Sequence, residues 1–190
     1  MKNKILRWGM IGCGDVADRL SGVSINKIKK SKLEIVFSKN KKLVKKYAKK
    51  HKIKNWTSNF NDFKRFKNID IYYIATPPNS HFYYINELAK LKKSIICEKP
   101  LAINLSEAKK AIKICKKNNI DLYVPFYRRA QPRYLLIKKW IDQNKIGKII
   151  FFSIKQIIKP ESHPTAPMSP IKNKIIPWRF VKKISGGGNY

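Results

Sequence analysis

Apolar positions along the chain fall into short runs that alternate with segments in which they recur every three or four residues. That alternation predicts strands flanked by amphipathic helices, the signature of a parallel sheet covered on both faces. Strands are expected at residues 6–11, 33–37, 69–75, 94–97 and 122–126, with helices at about 16–29, 42–50, 80–91 and 106–117. In the first helix Val16, Leu20 and Val23 repeat at helical spacing. A further helix over about 131–144 ends at Gly147 and leads into residues 148–158, whose β-branched and aromatic side chains predict a longer strand opening a second sheet. Beyond Lys159 the prolines at 160, 164, 167, 170 and 177 forbid regular structure, so this stretch is expected to be a loop that packs on something else. The expected organisation is a doubly wound, Rossmann-type α/β domain over 1–127, followed by the start of an α+β domain over 128–190.

Composition alters this picture little. With 190 residues and 43% hydrophobic content the chain can bury one sizeable core and part of a second. No apolar run approaches the ~20 residues that span a bilayer, and the start passes directly into a strand without a cleavable signal. A cytoplasmic protein with no membrane partner is expected. The three cysteines, Cys13, Cys97 and Cys115, sit in apolar contexts and read as buried reduced thiols rather than disulfides or metal ligands. A net charge of +32 raises the question of a nucleic-acid partner, because lysine and arginine gain affinity by releasing counterions from phosphates. The charge is carried by 36 Lys and 7 Arg and recurs on helix faces, as in Lys41-Lys42, Lys45-Lys46 and Lys49-Lys50. It is not gathered into a stripe interleaved with aromatics, so solvated faces and no specific nucleic acid are expected.

The chemistry begins directly after the first strand, where Gly12-Cys13-Gly14-Asp15-Val16-Ala17 forms a G-x-G-x-x-A turn opening the first helix. Gly12 permits the tight turn, Gly14 lets backbone approach a pyrophosphate, and Ala17 lets the helix sit close on the strand. The helix start, at Asp15 and Val16, offers unpaired N–H groups to the anion. At the end of the second strand, where an acidic residue would accept from the ribose hydroxyls of NAD, stands Ser38-Lys39-Asn40, which suits the 2′-phosphate of NADP. Glu34 has about the right sequence distance from the glycines but is expected at the beginning of that strand, as a surface residue. NADP is therefore preferred over NAD.

With these residues in place the chain resembles the Gfo/Idh/MocA oxidoreductases, a family that includes glucose-fructose oxidoreductase, inositol dehydrogenase and dimeric dihydrodiol dehydrogenase. The resemblance runs from the glycine turn through Ala75-Thr76-Pro77-Pro78-Asn79-Ser80-His81 and Cys97-Glu98-Lys99-Pro100-Leu101-Ala102. It continues through Tyr127-Arg128-Arg129, Ile146-Gly147-Lys148, Trp178-Arg179 and Ser185-Gly186-Gly187-Gly188. It implies an NAD(P)-dependent oxidoreductase acting on a hydroxyl carbon of a sugar, polyol or related molecule. Lys99 would be catalytic, holding the substrate hydroxyl beside the nicotinamide; at the carboxyl end of a sheet strand it also lies where ligands of such folds bind. Thr76, Pro77 and Asn79 would contact the nicotinamide half, and Glu98 would stabilise the cofactor or its own loop. His81 belongs to the cofactor-side set either as a contact or as a structural hydrogen-bonding residue. Arg128, within Tyr127 to Arg129, would make cofactor or domain-joining contacts, and Trp178 and Arg179 would border the substrate.

The family's D-x-G-x-H-x-x-D motif follows the triple glycine by a few residues and does not occur before Tyr190. Neither His51 nor His163 matches its place. The expectation is thus a C-terminally truncated oxidoreductase, homo-oligomeric in its full-length form, whose isolated chain binds cofactor with negligible turnover. Two other readings stand beside it: an NADP-binding module without chemistry, and a basic nucleic-acid-binding protein.

Overall fold

A computed structural model describes residues 4–155, 178 and 181–187. Its secondary structure runs β1 (Leu6–Ile11), a π-helical turn (Ala17–Ser21) continuing into α1 (Gly22–Lys27), β2 (Ser31–Phe37), α2 (Lys41–Lys50), β3 (Asn55–Thr57) and α3 (Phe60–Arg65). Then come β4 (Ile71–Ile74), α4 (His81–Ala89), β5 (Ser94–Cys97), α5 (Leu105–Lys117), β6 (Leu122–Tyr123), α6 (Pro132–Asp142) and α7 (Lys182–Ser185). The strands form one parallel sheet in the order β3-β2-β1-β4-β5-β6. Strands β2 and β3 are added on one side of β1 and β4 to β6 on the other, so the strand order switches between β1 and β4, and ligands of doubly wound sheets bind in the crevice at that switch point.

Side chains on successive strand residues point to opposite faces, and each face has its own core. Ile11, Phe37, Tyr72, Ile74, Ile95 and Cys97 meet Phe63, Ile85, Leu88, Ala111 and Cys115 on one face. Met10, Val36 and Tyr73 meet Ala17, Ile25, Val44 and Tyr47 on the other. β4 is buried along its whole length, as a central parallel strand requires. Asparagines start three helices: the side chains of Asn40, Asn59 and Asn104 accept from the backbone N–H of Leu43, Asn61 and Glu107, satisfying donors that the helices leave unpaired. In α2 the buried residues are Val44, Tyr47 and Ala48 while all six lysines face out, so the charge there lies on a solvated face.

The chain divides into two compact units, Met1–Pro125 with Trp178–Tyr190, and Phe126–Pro177. Residue 178 and residues 181–187, expected with the second domain, group with the first. The reason is a seat on the first unit: α7 packs on the turn Pro78–Ser80, and Gly186 lies so close to Ile103 that an added Cβ would stand 2.6 Å from its carbonyl oxygen. The strand expected over 148–158 does not form in its described part. Residues 148–155 pair with no strand among the described residues, and Ile150 and Phe151 are 95% and 83% exposed. Residues 156–158 and the proline-rich loop lie outside the described residues.

Candidate functional site

Four strand ends, those of β1, β2, β4 and β5, build the crevice. β1 stops at Ile11 and Gly12 turns the chain, donating its N–H to the Phe37 carbonyl at 2.8 Å while adopting φ +99°. A Cβ at Gly12 would stand 2.5 Å from the Ala75 carbonyl oxygen, so the turn is wedged between the ends of β2 and β4 and only glycine fits. Gly14 is different. Nothing lies within 4 Å of where its Cβ would be, so that side of the turn is open to a ligand. Asp15 is exposed and ion-paired to Arg19 at 2.7 Å, and Val16 is half-buried. Ala17 is fully buried against the sheet, its carbonyl accepting from the Tyr47 hydroxyl at 3.2 Å.

Beside the turn, Asp18 accepts from Lys50 at 2.6 Å and lies 2.6 Å from His51 Nε2. Burial works to raise its pKa, but these bonds prevail and hold the carboxyl below its ordinary value. Cys13 is packed under the turn, and burial, helped by the charge of Asp18, pushes its thiol to about 12. It is therefore protonated and inert, like the other two cysteines, which are also buried and free.

At the end of β2, Ser38 donates its N–H to Thr57 at 3.3 Å, and its hydroxyl accepts from Asn40 N–H. Lys39 is exposed beside it, and no acidic side chain stands at this strand end. Glu34 lies mid-strand with its side chain 16% exposed and salt-bridged to Lys32 at 2.8 Å. It is farther from the strand's beginning and better covered than expected, and it is still remote from the carboxyl end.

The ends of β4 and β5 are tied together. Ser80 bridges Thr76 Oγ1 at 2.7 Å and the Pro77 carbonyl at 2.8 Å, which fixes the loop carrying Thr76, Pro77 and the exposed Asn79. Glu98 N–H donates to the Ile74 carbonyl at 2.9 Å. Lys99 next to it is exposed, makes no ion pair among the described residues, and joins Pro100 through a cis peptide bond. His81 is fully buried between the two loops, Nε2 2.7 Å from the Thr76 carbonyl and Nδ1 2.9 Å from that of Pro100. With both ring nitrogens against backbone carbonyls, His81 takes the structural one of the two roles expected for it, a tie between the two loops, and has no ring nitrogen left for a cofactor. Burial holds its pKa below the ordinary value.

Sequence reasoning missed Tyr73 and Ser21. Tyr73 reads as one more apolar residue of a buried strand, yet its hydroxyl lies 2.5 Å from Glu98 Oε1 and 2.6 Å from Ser21 Oγ. It also missed the return of α7, which buries Ser185 beside the Pro78–Ser80 turn. Arg128 sits exposed on the short 3-10 turn Tyr127–Ala130 of the second unit. Trp178 is half-buried, and Arg179 lies outside the described residues. Among the described residues no cluster of potential metal ligands occurs, and no helix is long and apolar enough to cross a membrane.

Residues 6–126 match the oxidoreductase family Gfo/Idh/MocA, NAD-binding Rossmann fold. The chain belongs to this family. A Gfo/Idh/MocA relative, Oxidoreductase P35 of Formosa agariphila, is 36% identical over 97% of this chain and 56% of its own length. Levoglucosan dehydrogenase of Pseudarthrobacter phenanthrenivorans is 32% identical over 82% of this chain and 38% of its own. Among solved structures, myo-inositol 2-dehydrogenase of Lactobacillus plantarum superposes with a TM-score of 0.71 at 28% identity, covering 77% of this chain and 44% of its own. The chain thus spans about half the length of the relatives it matches. Its cofactor class, for a Gfo/Idh/MocA domain with this glycine turn, is a nicotinamide dinucleotide.

Proposed function

We propose that the chain carries the cofactor half of a sugar or polyol oxidoreductase that prefers NADP, with Lys99 handling the substrate's proton. Supporting this reading, Gly14 is open at the end of β1, and Lys99, exposed and without an ion pair among the described residues, follows the end of β5, the next strand but one in the same sheet. The residues fit the dinucleotide. The N–H groups of Gly14, Asp15 and Val16 would hold its pyrophosphate, Ser38 and Lys39 its 2′-phosphate, and Thr76, Pro77, Asn79 and Glu98 its nicotinamide side.

When bound, the nicotinamide supplies the acceptor for hydride. Lys99 Nζ would hydrogen-bond the substrate oxygen and orient its carbon, and the hydroxyl proton would pass to Nζ as hydride leaves the carbon and the carbonyl forms. A fixed donor at that point contributes typically 10² to 10⁴ in rate. The relatives include a levoglucosan dehydrogenase and a myo-inositol 2-dehydrogenase, which supports a polyhydroxylated small molecule as substrate. Trp178 and Arg179 are proposed to border it, Arg128 to make cofactor or domain-joining contacts, and the exposed apolar residues over 149–154 to lie in a homo-oligomeric contact.

The test is a panel of sugars and polyols assayed for NADPH formation by the chain and by Lys99→Ala. Turnover lost by at least about 100-fold with cofactor affinity kept within about threefold supports the assignment. Unchanged turnover in the variant removes Lys99 from the chemistry, and cofactor binding with negligible turnover in the wild type, the outcome expected of a chain that spans about half its relatives' length, confines the 190-residue chain to dinucleotide binding.

A further inference from the structure

Tyr73 lies on the helix-α1 side of β4 with its ring in the core. Its buried hydroxyl reaches toward the end of β5, where it meets Glu98 Oε1 at 2.5 Å, and toward the first helix, where it meets Ser21 Oγ at 2.6 Å. A phenol has one proton. A carboxylate can only accept, so the tyrosine donates to Glu98 and the serine hydroxyl donates to the tyrosine. The second carboxylate oxygen, Oε2, accepts from the backbone N–H of Lys99 at 3.2 Å. Glu98 is thereby held from two sides while staying half-exposed, with lone pairs left for a ligand's hydroxyl or amide. Burial and the charge of Glu98 push the Tyr73 hydroxyl well above its ordinary pKa, so it remains a donor across the whole working pH range.

The far end of the link is no ordinary helix. Ser21 closes the π-helical turn Ala17–Ser21, the distortion that follows the glycine turn directly. The π-helix is rare and appears mostly as a single turn within helical segments, frequently at functional sites. Here the extra residue brings Ser21 within reach of β4. A line of hydroxyls thus connects the phosphate-binding turn to the carboxylate adjoining Lys99.

The position of Glu98 in the sheet says which half of the cofactor this affects. Relative to the glycine turn at the end of β1, Ser38 and Lys39 lie on the β2 side and Glu98 on the opposite side, beyond β4. A dinucleotide straddling the switch point puts its phosphorylated ribose on the first side and its nicotinamide ribose on the second.

We propose that Tyr73 is a positioning residue of the nicotinamide subsite, acting through Glu98 and coupled to the glycine turn through Ser21. The proposal deepens the dinucleotide reading and rests on it. Loss of the phenol proton frees the carboxylate to swing, which weakens recognition of the nicotinamide ribose and leaves the adenosine half untouched.

The experiment compares two ligands on the 190-residue chain, NADPH and 2′-phospho-ADP-ribose, which lacks the nicotinamide. Tyr73→Phe keeps the ring and removes the hydroxyl. It is expected to weaken NADPH roughly tenfold, the value of a charge-assisted hydrogen bond, and to leave 2′-phospho-ADP-ribose within about twofold. In a Glu98→Ala background the same substitution is expected to have less than about a twofold effect, because its partner is gone. Equal weakening of both ligands, no weakening of either, or a full effect in the Glu98→Ala background would overturn the positioning role while the dinucleotide reading stands. Should Tyr73→Phe fail to fold, Ser21→Ala at the outer end of the line carries the same test, with the same ligand selectivity expected and its absence contradictory. A wild-type chain that binds neither ligand overturns the dinucleotide reading itself, and the proposal with it.

Discussion

Gly12 and Ala75 meet so closely that a single added carbon on the first would stand 2.5 Å from the carbonyl oxygen of the second. The neighbouring Ala75 N–H donates to the Ile11 carbonyl at 2.8 Å, so the backbone there cannot retreat without breaking the β1–β4 pairing. Gly12→Ala is expected to cost on the order of 1–3 kcal/mol, from both the clash and the φ of +99°. Gly14→Ala meets no atom and should leave stability nearly unchanged while weakening dinucleotide binding at least about tenfold. Urea unfolding and cofactor titration of the two variants check this; equal loss of stability in both would contradict it.

The 2′-phosphate assignment rests on Ser38 and Lys39 at the end of β2. Lys39→Ala should lower NADPH affinity by roughly 1.5–3 kcal/mol and leave NADH affinity within about twofold, because only the phosphorylated cofactor loses a charge-assisted contact. Paired calorimetric titrations decide it, and an unchanged preference for NADPH would remove Lys39 from the site.

His81 predicts a pH dependence. Burial holds its pKa below the ordinary value, against the hydrogen bonds to Thr76, Pro100 and Leu101 and the charge of Glu98. The unfolded chain therefore takes up the proton at higher pH than the native one. Stability from this group is fully present above the unfolded value of about 6.5 and is lost as pH falls toward the depressed folded value. Urea midpoints at pH 7.5 and 5.5 should show the wild type losing stability on acidification. His81→Asn should be less stable at pH 7.5 by about 1–3 kcal/mol and lose less on acidification. An identical loss in the two proteins would assign the acid sensitivity elsewhere.

Charge predicts one more outcome. The lysines of α2 face solvent on one side of a helix whose other side is core, a distribution without a groove or an aromatic platform. Duplex DNA should bind weakly, with no sequence preference, and lose affinity steeply between 50 and 200 mM salt. Fluorescence anisotropy with two unrelated duplexes measures this, and a sub-micromolar, sequence-selective complex at 150 mM salt would contradict it.

What the residues disclosed before the structure follows from how strongly each element is patterned. β1 and β5 carry apolar runs bounded by turn residues and lie where expected, at Leu6–Ile11 and Ser94–Cys97. β3 has three residues, Asn55–Thr57, too few to show alternation, and α3 has six. The missed α3 nonetheless supplies Phe60 and Phe63, whose rings lie 5.3 and 5.8 Å from that of Phe37. Pro125 follows β6 closely, and the strand ends at Tyr123 rather than 126. At the site, the glycine turn and Lys99 were legible because motif spacing carries them. Tyr73 was not, since a tyrosine in a buried strand looks like packing until its hydroxyl is seen to meet Glu98. His81 was legible only as ambiguous, and its two backbone partners come from loops 19 and 5 residues away that only the fold brings together.

If residues up to about 125 form a dinucleotide-binding unit at the β1–β4 switch point, calorimetric titration of the 190-residue chain with NADPH and NADH will register it. Saturable 1:1 binding of both cofactors is expected, tighter for NADPH, and abolished by Gly12→Ala in protein that remains folded. No heat of binding for either cofactor at millimolar concentration, from a chain whose circular dichroism shows the α/β fold intact, would contradict it.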